Sequence, residues 1–127
     1  MPDRPTAERP LIHVKRANTI LYCRNWPQTV RFYREVLGLA VHHTTSWFVE
    51  FHLGGSAFLS IADAARATVG CAVGQGITLS WQVDDVAVLH RRMTARAIAV
   101  GPLQAKWGAR VFYFHDPEGH RLEAWSI

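Results

Sequence analysis

The chain's chemistry has to come from a short inventory: seven histidines, two cysteines and a few carboxylates set among aromatic residues. The run Arg121-Leu122-Glu123-Ala124-Trp125 is the most suggestive. Residues two apart on a strand share a face, so Arg121, Glu123 and Trp125 would point the same way. Burial among rings raises a carboxyl pKa, and a neighbouring Arg lowers it. In the first case Glu123 could act as a general acid or base. In the second it is a fixed acceptor for a ligand amine or hydroxyl. The same alternation sets Tyr22 beside Asn18 and Phe58 beside Ser60. Trp47 and Trp107 fall near strand or loop ends, and Arg110 is a further cation within reach of such a cleft. Aromatic faces with a few placed polar groups make a small-molecule pocket. Ser60, Cys23 and Cys71 have no base and orienting partner identifiable in the sequence, so nucleophilic catalysis is not indicated.

The histidines divide by position. His42 and His43 are adjacent on an expected strand, so at most one faces a cleft. His52 lies on a central strand and could face inward, and His90 is expected at the solvent side of a helix. His115 and His120 flank an Asp116-Pro117-Glu118-Gly119 turn, and His13 precedes the first strand. His52 with Glu123 is the one pair from which a metal site could be started.

These residues must be positioned by a pattern that occurs twice. Residues 18–23 alternate as a strand. Asn25, Pro27 and Gln28 form an N-cap, first-turn proline and capping-box glutamine. The following segment carries Val30, Tyr33 and Leu37 on one helical face, widened by Phe32 and Val36, and Gly38 stops it. Strands are expected at residues 40–44, 47–53 and 57–62. After a Gly/Ala-rich stretch the order returns: a strand at 77–83, a helix capped by Asp84 or Asp85, then strands at 98–100, 109–114 and 121–125. Trp81 and Cys23 fall on the helix-packing face. Two such units bury a core that neither could bury alone. The reading is a tail at residues 1–14 and one domain at 15–127, with module one at 15–63, a linker at 64–76 and module two at 77–127.

Composition sets the outer bounds. With 127 residues, 49% hydrophobic and 19% charged, the chain suits one packed domain. No apolar run is long enough for a membrane span, and the polar, Pro-rich start is unlike a secretory signal. Two cysteines make no disulfide scaffold, so a cytoplasmic protein with reduced thiols is expected. The net charge of +4 favours anionic partners. The basic residues are scattered, with no compact Lys/Arg run and no helix-turn-helix or zinc-finger spacing, so nucleic acid is not the expected partner.

The segments VRFYREVLGL (residues 30–39), WQVDDV (81–86) and FYFHDPEGHRLEAW (112–125) resemble the vicinal oxygen chelate superfamily, which contains glyoxalases, bleomycin resistance proteins and dioxygenases. The last segment is similar to fosfomycin thiol transferases. The resemblance implies an α+β fold of two βαβββ modules, each a curved mixed-sheet half-barrel, and a homodimer with its cleft within or between chains. Enzymes of the superfamily hold a divalent metal through a His on each module's first strand and a Glu on the last. Matched by strand register, those four positions read Asn18, Ser60, Thr78 and Glu123. Three neutral groups and one carboxylate are a poor donor set for such an ion.

The resemblance therefore implies a metal-free binding protein without a cofactor. Its cleft would hold an aromatic or planar ligand, neutral or anionic, such as an antibiotic. The expected contacts are Asn18, Tyr22, Trp47, Phe58, Ser60, Thr78, Trp107, Arg110, Arg121 and Trp125, with Glu123 as the reactive candidate. Three alternatives stand beside it. One is a metal-dependent lyase, thiol transferase or dioxygenase with shifted ligands. The second is a metal-free isomerase using Glu123, and the third a regulatory module with a vestigial cleft.

Overall fold

Alternation decides the first strand. β1 (Ala17–Cys23) buries Leu21 and Cys23 and leaves Asn18 and Ile20 exposed on its other face. The computed structural model describes residues 11–68 and 70–127, so residues 1–10 of the expected tail lie outside it, and residues 11–14 are exposed. Helix α1 (Trp26–Arg31) follows, with Pro27 in the first turn, and runs on into a π-helical turn at Phe32–Val36. There the Leu37 amide bonds the Phe32 carbonyl, and Gly38, at φ 71°, turns the chain out. Tyr33 is fully buried, whereas Val36 stays exposed.

The expected capping box does not form, because Asn25 makes no side-chain cap bond. The Asn25 backbone N–H that Gln28 would satisfy donates instead to the Glu118 carboxylate at 3.0 Å, and the Arg24 N–H joins it at 2.6 Å. An ionised carboxylate from the other half of the chain is a stronger acceptor than a local amide.

β2 (Ala40–Thr44), β3 (Phe48–Gly54) and β4 (Ala57–Asp63) complete a four-stranded sheet in the order β1-β4-β3-β2. β1 runs parallel to β4, and the other pairs are antiparallel. The second half repeats this with β5 (Thr78–Gln82), α2 (Val86–Ala95), β6 (Gln104–Lys106), β7 (Ala109–His115) and β8 (Arg121–Ser126), in the order β5-β8-β7-β6. Asp85 caps α2, accepting from the Ala87 and Val88 amides. Asn18 lies opposite Phe58 and Thr78 opposite Arg121. Asn18 and Thr78 are thus equivalent in the two halves, as are Ser60 and Glu123. The α+β class with two βαβββ units is observed.

Two local expectations are corrected. Residues 98–100 are not a strand; the edge strand is Gln104–Lys106. Ile98 and Val100 alternate with exposed Ala99 because they, like Leu103, pack on the core. Pro102 has no N–H to give a ladder, and Gly101 makes the backbone bond to Tyr113. His90 does not face solvent. It is half-buried, edge-on to Phe112, with Nε2 donating to the Gly101 carbonyl at 2.9 Å.

One core serves both halves. Leu21, Tyr33, Phe51, Leu59 and Ile61 belong to the same buried cluster as Val86, Met93, Phe112, Phe114 and Leu122. The turn between β7 and β8 locks it. Tyr33 Oη donates to Asp116 at 2.7 Å, His120 Nδ1 lies 2.8 Å from the same oxygen, and Glu118 holds the Arg24 and Asn25 amides. Gly74 packs so tightly on this turn that a Cβ would fall 2.4 Å from the Gly119 carbonyl carbon, which fixes the path of the connecting segment. Burial pushes the Cys23 thiol above its usual range, and Glu118 and Asp116 push it further, so it stays protonated and inert. Cys71 is also free. No helix among the described residues is long and apolar enough to cross a membrane.

Burial alone would raise both turn carboxyls, but hydrogen bonds outweigh it. His120 and Tyr33 hold Asp116 below the usual range, and the Asn25 and Arg24 amides do the same for Glu118. A lowered folded pKa gives stability that is complete above the unfolded value and is lost as pH falls through the folded one. Stability should therefore decline below about pH 4. Tyr33→Phe should cost about 2 kcal/mol at neutral pH and flatten that decline. Urea denaturation of both proteins from pH 7 to pH 3 checks both outcomes.

Candidate functional site

The residues expected to form one cleft lie on two faces, one on each sheet. On the first sheet, the face turned away from α1 takes a residue from every strand: Asn18 from β1, His42 from β2, Glu50 from β3 and Phe58 and Ser60 from β4. Ser60 Oγ, fully buried, donates to Asn18 Oδ1 at 2.8 Å, and Asn18 Nδ2 donates to Glu50 Oε2 at 3.1 Å. The other Glu50 oxygen receives Arg16 at 2.5 Å and His42 Nδ1 at 2.6 Å. Burial of Glu50 works against its charge, yet the bonds from His42 and Arg16 and the Arg16 charge hold the carboxyl below its usual range. The Arg16 guanidinium stacks 3.7 Å above the Phe58 ring, and His42 and His52 pack beside that ring at 4.9 and 5.0 Å.

The second sheet carries a cavity of about 340 Å³ lined by Ser80, Lys106, Trp107, Ala109, Val111, Glu123 and Trp125. Ser80 Oγ donates to Glu123 Oε1 at 2.9 Å. Arg121 lies across Tyr113, 4.7 Å from the ring centre, and donates from Nε to Thr78 Oγ1 at 2.9 Å. Trp107 and Gly108 are the two loop residues of the β6–β7 hairpin, both with positive φ, at 52° and 74°. That geometry favours Asn-Gly or Gly-Gly, so a Trp there is unusual. Trp107 is also 84% exposed.

Several expected contacts fall elsewhere. Arg110 shares its face of β7 with the core residues Phe112 and Phe114, so the alternation turns it away from the cavity. Tyr22 lines a separate groove of about 220 Å³ with Ile20, residues of the 70–77 segment and His120. Trp47 packs edge-on against Phe48 on the first sheet. His52 and Glu123 do not meet: His52 Nε2 bonds the Gly55 carbonyl at 2.8 Å, while Glu123 holds Ser80 on the other sheet. Glu50 and Arg16 were not anticipated. The signal for Glu50 is an acid between Val49 and Phe51 on a central strand, a buried charge that must find donors.

The donor set is poor at the four positions where the superfamily's enzymes keep metal ligands. Asn18 and Ser60 bond each other, Thr78 accepts from Arg121, and Glu123 is the one carboxylate. Among the described residues no three His, Cys, Asp or Glu side chains cluster as a metal site would need. These residues do not fit a divalent transition ion.

A family model described as a glyoxalase-like domain matches residues 17–126. Among solved structures, a lactoylglutathione lyase from Agrobacterium tumefaciens is 26% identical, with a TM-score of 0.75 over 93% of this chain and 96% of that one. A glyoxalase/bleomycin resistance protein/dioxygenase from Nocardioides is 20% identical, with a TM-score of 0.76 over 95% and 87%. TnmS3, an antibiotic binding protein from Streptomyces sp. CB03234, is 19% identical, with a TM-score of 0.72 over 94% and 97%. The last two show the fold alone. The likeness of the final segment to fosfomycin thiol transferases is not confirmed. No curated protein matches.

Glu50 is matched by donors on both oxygens, so Glu50→Ala should leave Arg16, His42 and Asn18 without their acceptor. We expect a loss of about 2–3 kcal/mol, whereas Glu123→Ala, which gives up one hydrogen bond, should cost about 1 kcal/mol or less. Chemical denaturation of the two variants side by side measures the difference.

Proposed function

The chain belongs to the glyoxalase-like domain family, and on that premise we propose that it is a small-molecule binding protein that works without a metal or catalytic cofactor. Its ligand is aromatic or planar, neutral or anionic, and an antibiotic-like compound is one such class. The observation that carries the reading is Trp107. A bulky residue in the left-handed region costs about 1 kcal/mol, and this one gains no burial in return. Its ring lines the cavity together with Trp125, which a planar ligand could use as facing surfaces. Lys106, 5.5 Å from the Trp107 ring centre, puts a cation at the rim and favours a neutral or anionic guest.

Glu123 supplies the polar anchor. Glu50, Asp116 and Glu118 each accept two or more hydrogen bonds, whereas among the described residues Glu123 accepts one, from Ser80. Its remaining acceptor capacity suits a ligand hydroxyl or amine. The poor donor set at the metal positions supports the metal-free reading. The two half-sites lie on separate four-stranded sheets, which suits a homodimer whose partner closes each cleft. The TnmS3 fold likeness supports antibiotic sequestration as one use.

A metal-dependent lyase is the second reading, favoured by the 26% identity to the lactoylglutathione lyase. Metal analysis of tag-free protein separates the two. Near-stoichiometric divalent metal that is lost on Glu123→Ala supports the lyase and contradicts the binding protein. Aromatic compounds titrated against intrinsic fluorescence test the binding reading directly. Saturable quenching is expected, with Trp107→Gly binding about tenfold more weakly. The same substitution should leave folding unchanged or raise stability by up to ~1 kcal/mol, because glycine suits this turn. No saturable response to any planar aromatic compound at high micromolar concentration would falsify the proposal.

A further inference from the structure

On the first sheet a ring and a carboxylate are covered by one of the chain's own side chains. Three of the residues around it are strand residues fixed by the ladder. Phe58 gives a buried ring face, Glu50 a buried carboxylate, and Asn18, itself held by Ser60, fixes the far oxygen of that carboxylate. The covering group is different in kind. Arg16 precedes β1, belongs to no strand, and keeps 45% of its side chain exposed. Its guanidinium carbon lies over the Phe58 ring, 3.7 Å from the centroid, and the group reaches Glu50 Oε1 at 2.5 Å.

A flat ring face next to an anchored carboxylate selects a particular chemistry. The ring attracts a cation over its face, and the carboxylate accepts N–H groups in the plane of that cation. A planar, positively charged nitrogen donor does both at once, covering the ring with its face while its edge meets the carboxylate. A metal ion cannot stack, and an ammonium offers no flat face. Arg16 meets all three conditions, as an internal stand-in for an external ligand would.

We propose that this face of the first sheet binds a planar organic cation of the guanidinium, amidinium or protonated amino-heteroaromatic class, and that Arg16 is a tethered occupant which the ligand displaces. The inference rests on Arg16, Glu50 and Phe58 and not on the cavity at Trp107 and Glu123. Loss of ligand binding at that cavity leaves it standing. Displacement returns an already half-exposed Arg to solvent, so the exchange trades one stacked cation for another. A tethered competitor acts at an effective concentration of about millimolar, which masks weak ligands in the native protein.

Benzamidine is the probe, with benzamide and benzoate as neutral and anionic controls of the same shape. Calorimetric titration of the full chain should show benzamidine binding to Arg16→Ala about tenfold more tightly than to the native protein. Removing Arg16 should leave the affinity for either control unchanged, since binding of a neutral or anionic ring at the Trp107 cavity does not involve Arg16. Glu50→Gln, which keeps the shape and removes the charge, should abolish the gain when combined with Arg16→Ala. Phe58→Leu in the same background should weaken it. Arg16 sits outside the strands, so its removal leaves the ladder intact, and circular dichroism of each variant verifies folding. Equal benzamidine affinity with and without Arg16, or an equal gain in benzamide affinity on removing Arg16, overturns the proposal.

Discussion

A carboxylate taken out of water must be met by donors, and that requirement organises this chain more than any other. Asp116 and Glu118 sit on one turn of the second half and are satisfied by groups of the first: the Tyr33 hydroxyl and the amides of Arg24 and Asn25. The turn therefore welds two similar units into one body. It places α1 and its π-helical turn over a core that includes Phe51 and Phe114. Glu50 follows the same rule within the first sheet, where it gathers Arg16, His42 and Asn18 from three different segments. Glu123 does so least. It keeps acceptor capacity toward a cavity, and a functional site is where such an exception is expected.

The two sheets share one topology but carry different groups at equivalent positions. Register makes Ser60 and Glu123 equivalent, yet one is a buried hydroxyl tied to Asn18 and the other a half-buried acid beside a cavity. In the first half the acid stands on the neighbouring strand, as Glu50, and is covered by a guanidinium. In the second half the acid stays on the last strand, with indole rings at its side. The halves thus offer different surfaces: a carboxylate and a ring covered by Arg16, and an open aromatic cavity with a cation at its rim.

Much of the fold was legible because alternation is a local signal. Leu21 and Cys23, Phe112 and Phe114, and the repeated strand–helix–strand order all read directly from period two and period 3.6. Residues 98–100 misled for a physical reason: their alternation records packing on the core, and burial does not require a ladder partner. The capping box at Asn25 failed because its amide was claimed by Glu118, 93 residues later, and no local pattern announces that. The site was less legible for the same reason. Glu123, Trp107 and Trp125 could be grouped in advance, whereas Arg110, expected within reach of the cleft, shares its strand face with Phe112 and Phe114. Arg16 and Glu50 escaped notice because their importance lies in a contact 34 residues apart in sequence.

The indole N–H resonances offer the most direct test of the binding account. The chain has five tryptophans, and each gives a separate signal in a proton–nitrogen correlation spectrum of labelled protein. Titration with a planar aromatic ligand should shift the Trp107 and Trp125 signals together. Trp81, packed against the core, and Trp26, bonded to the Ile61 carbonyl, should stay in place. Shifts confined to Trp26 or Trp81, or five unmoved signals across a panel of such ligands, would contradict the account.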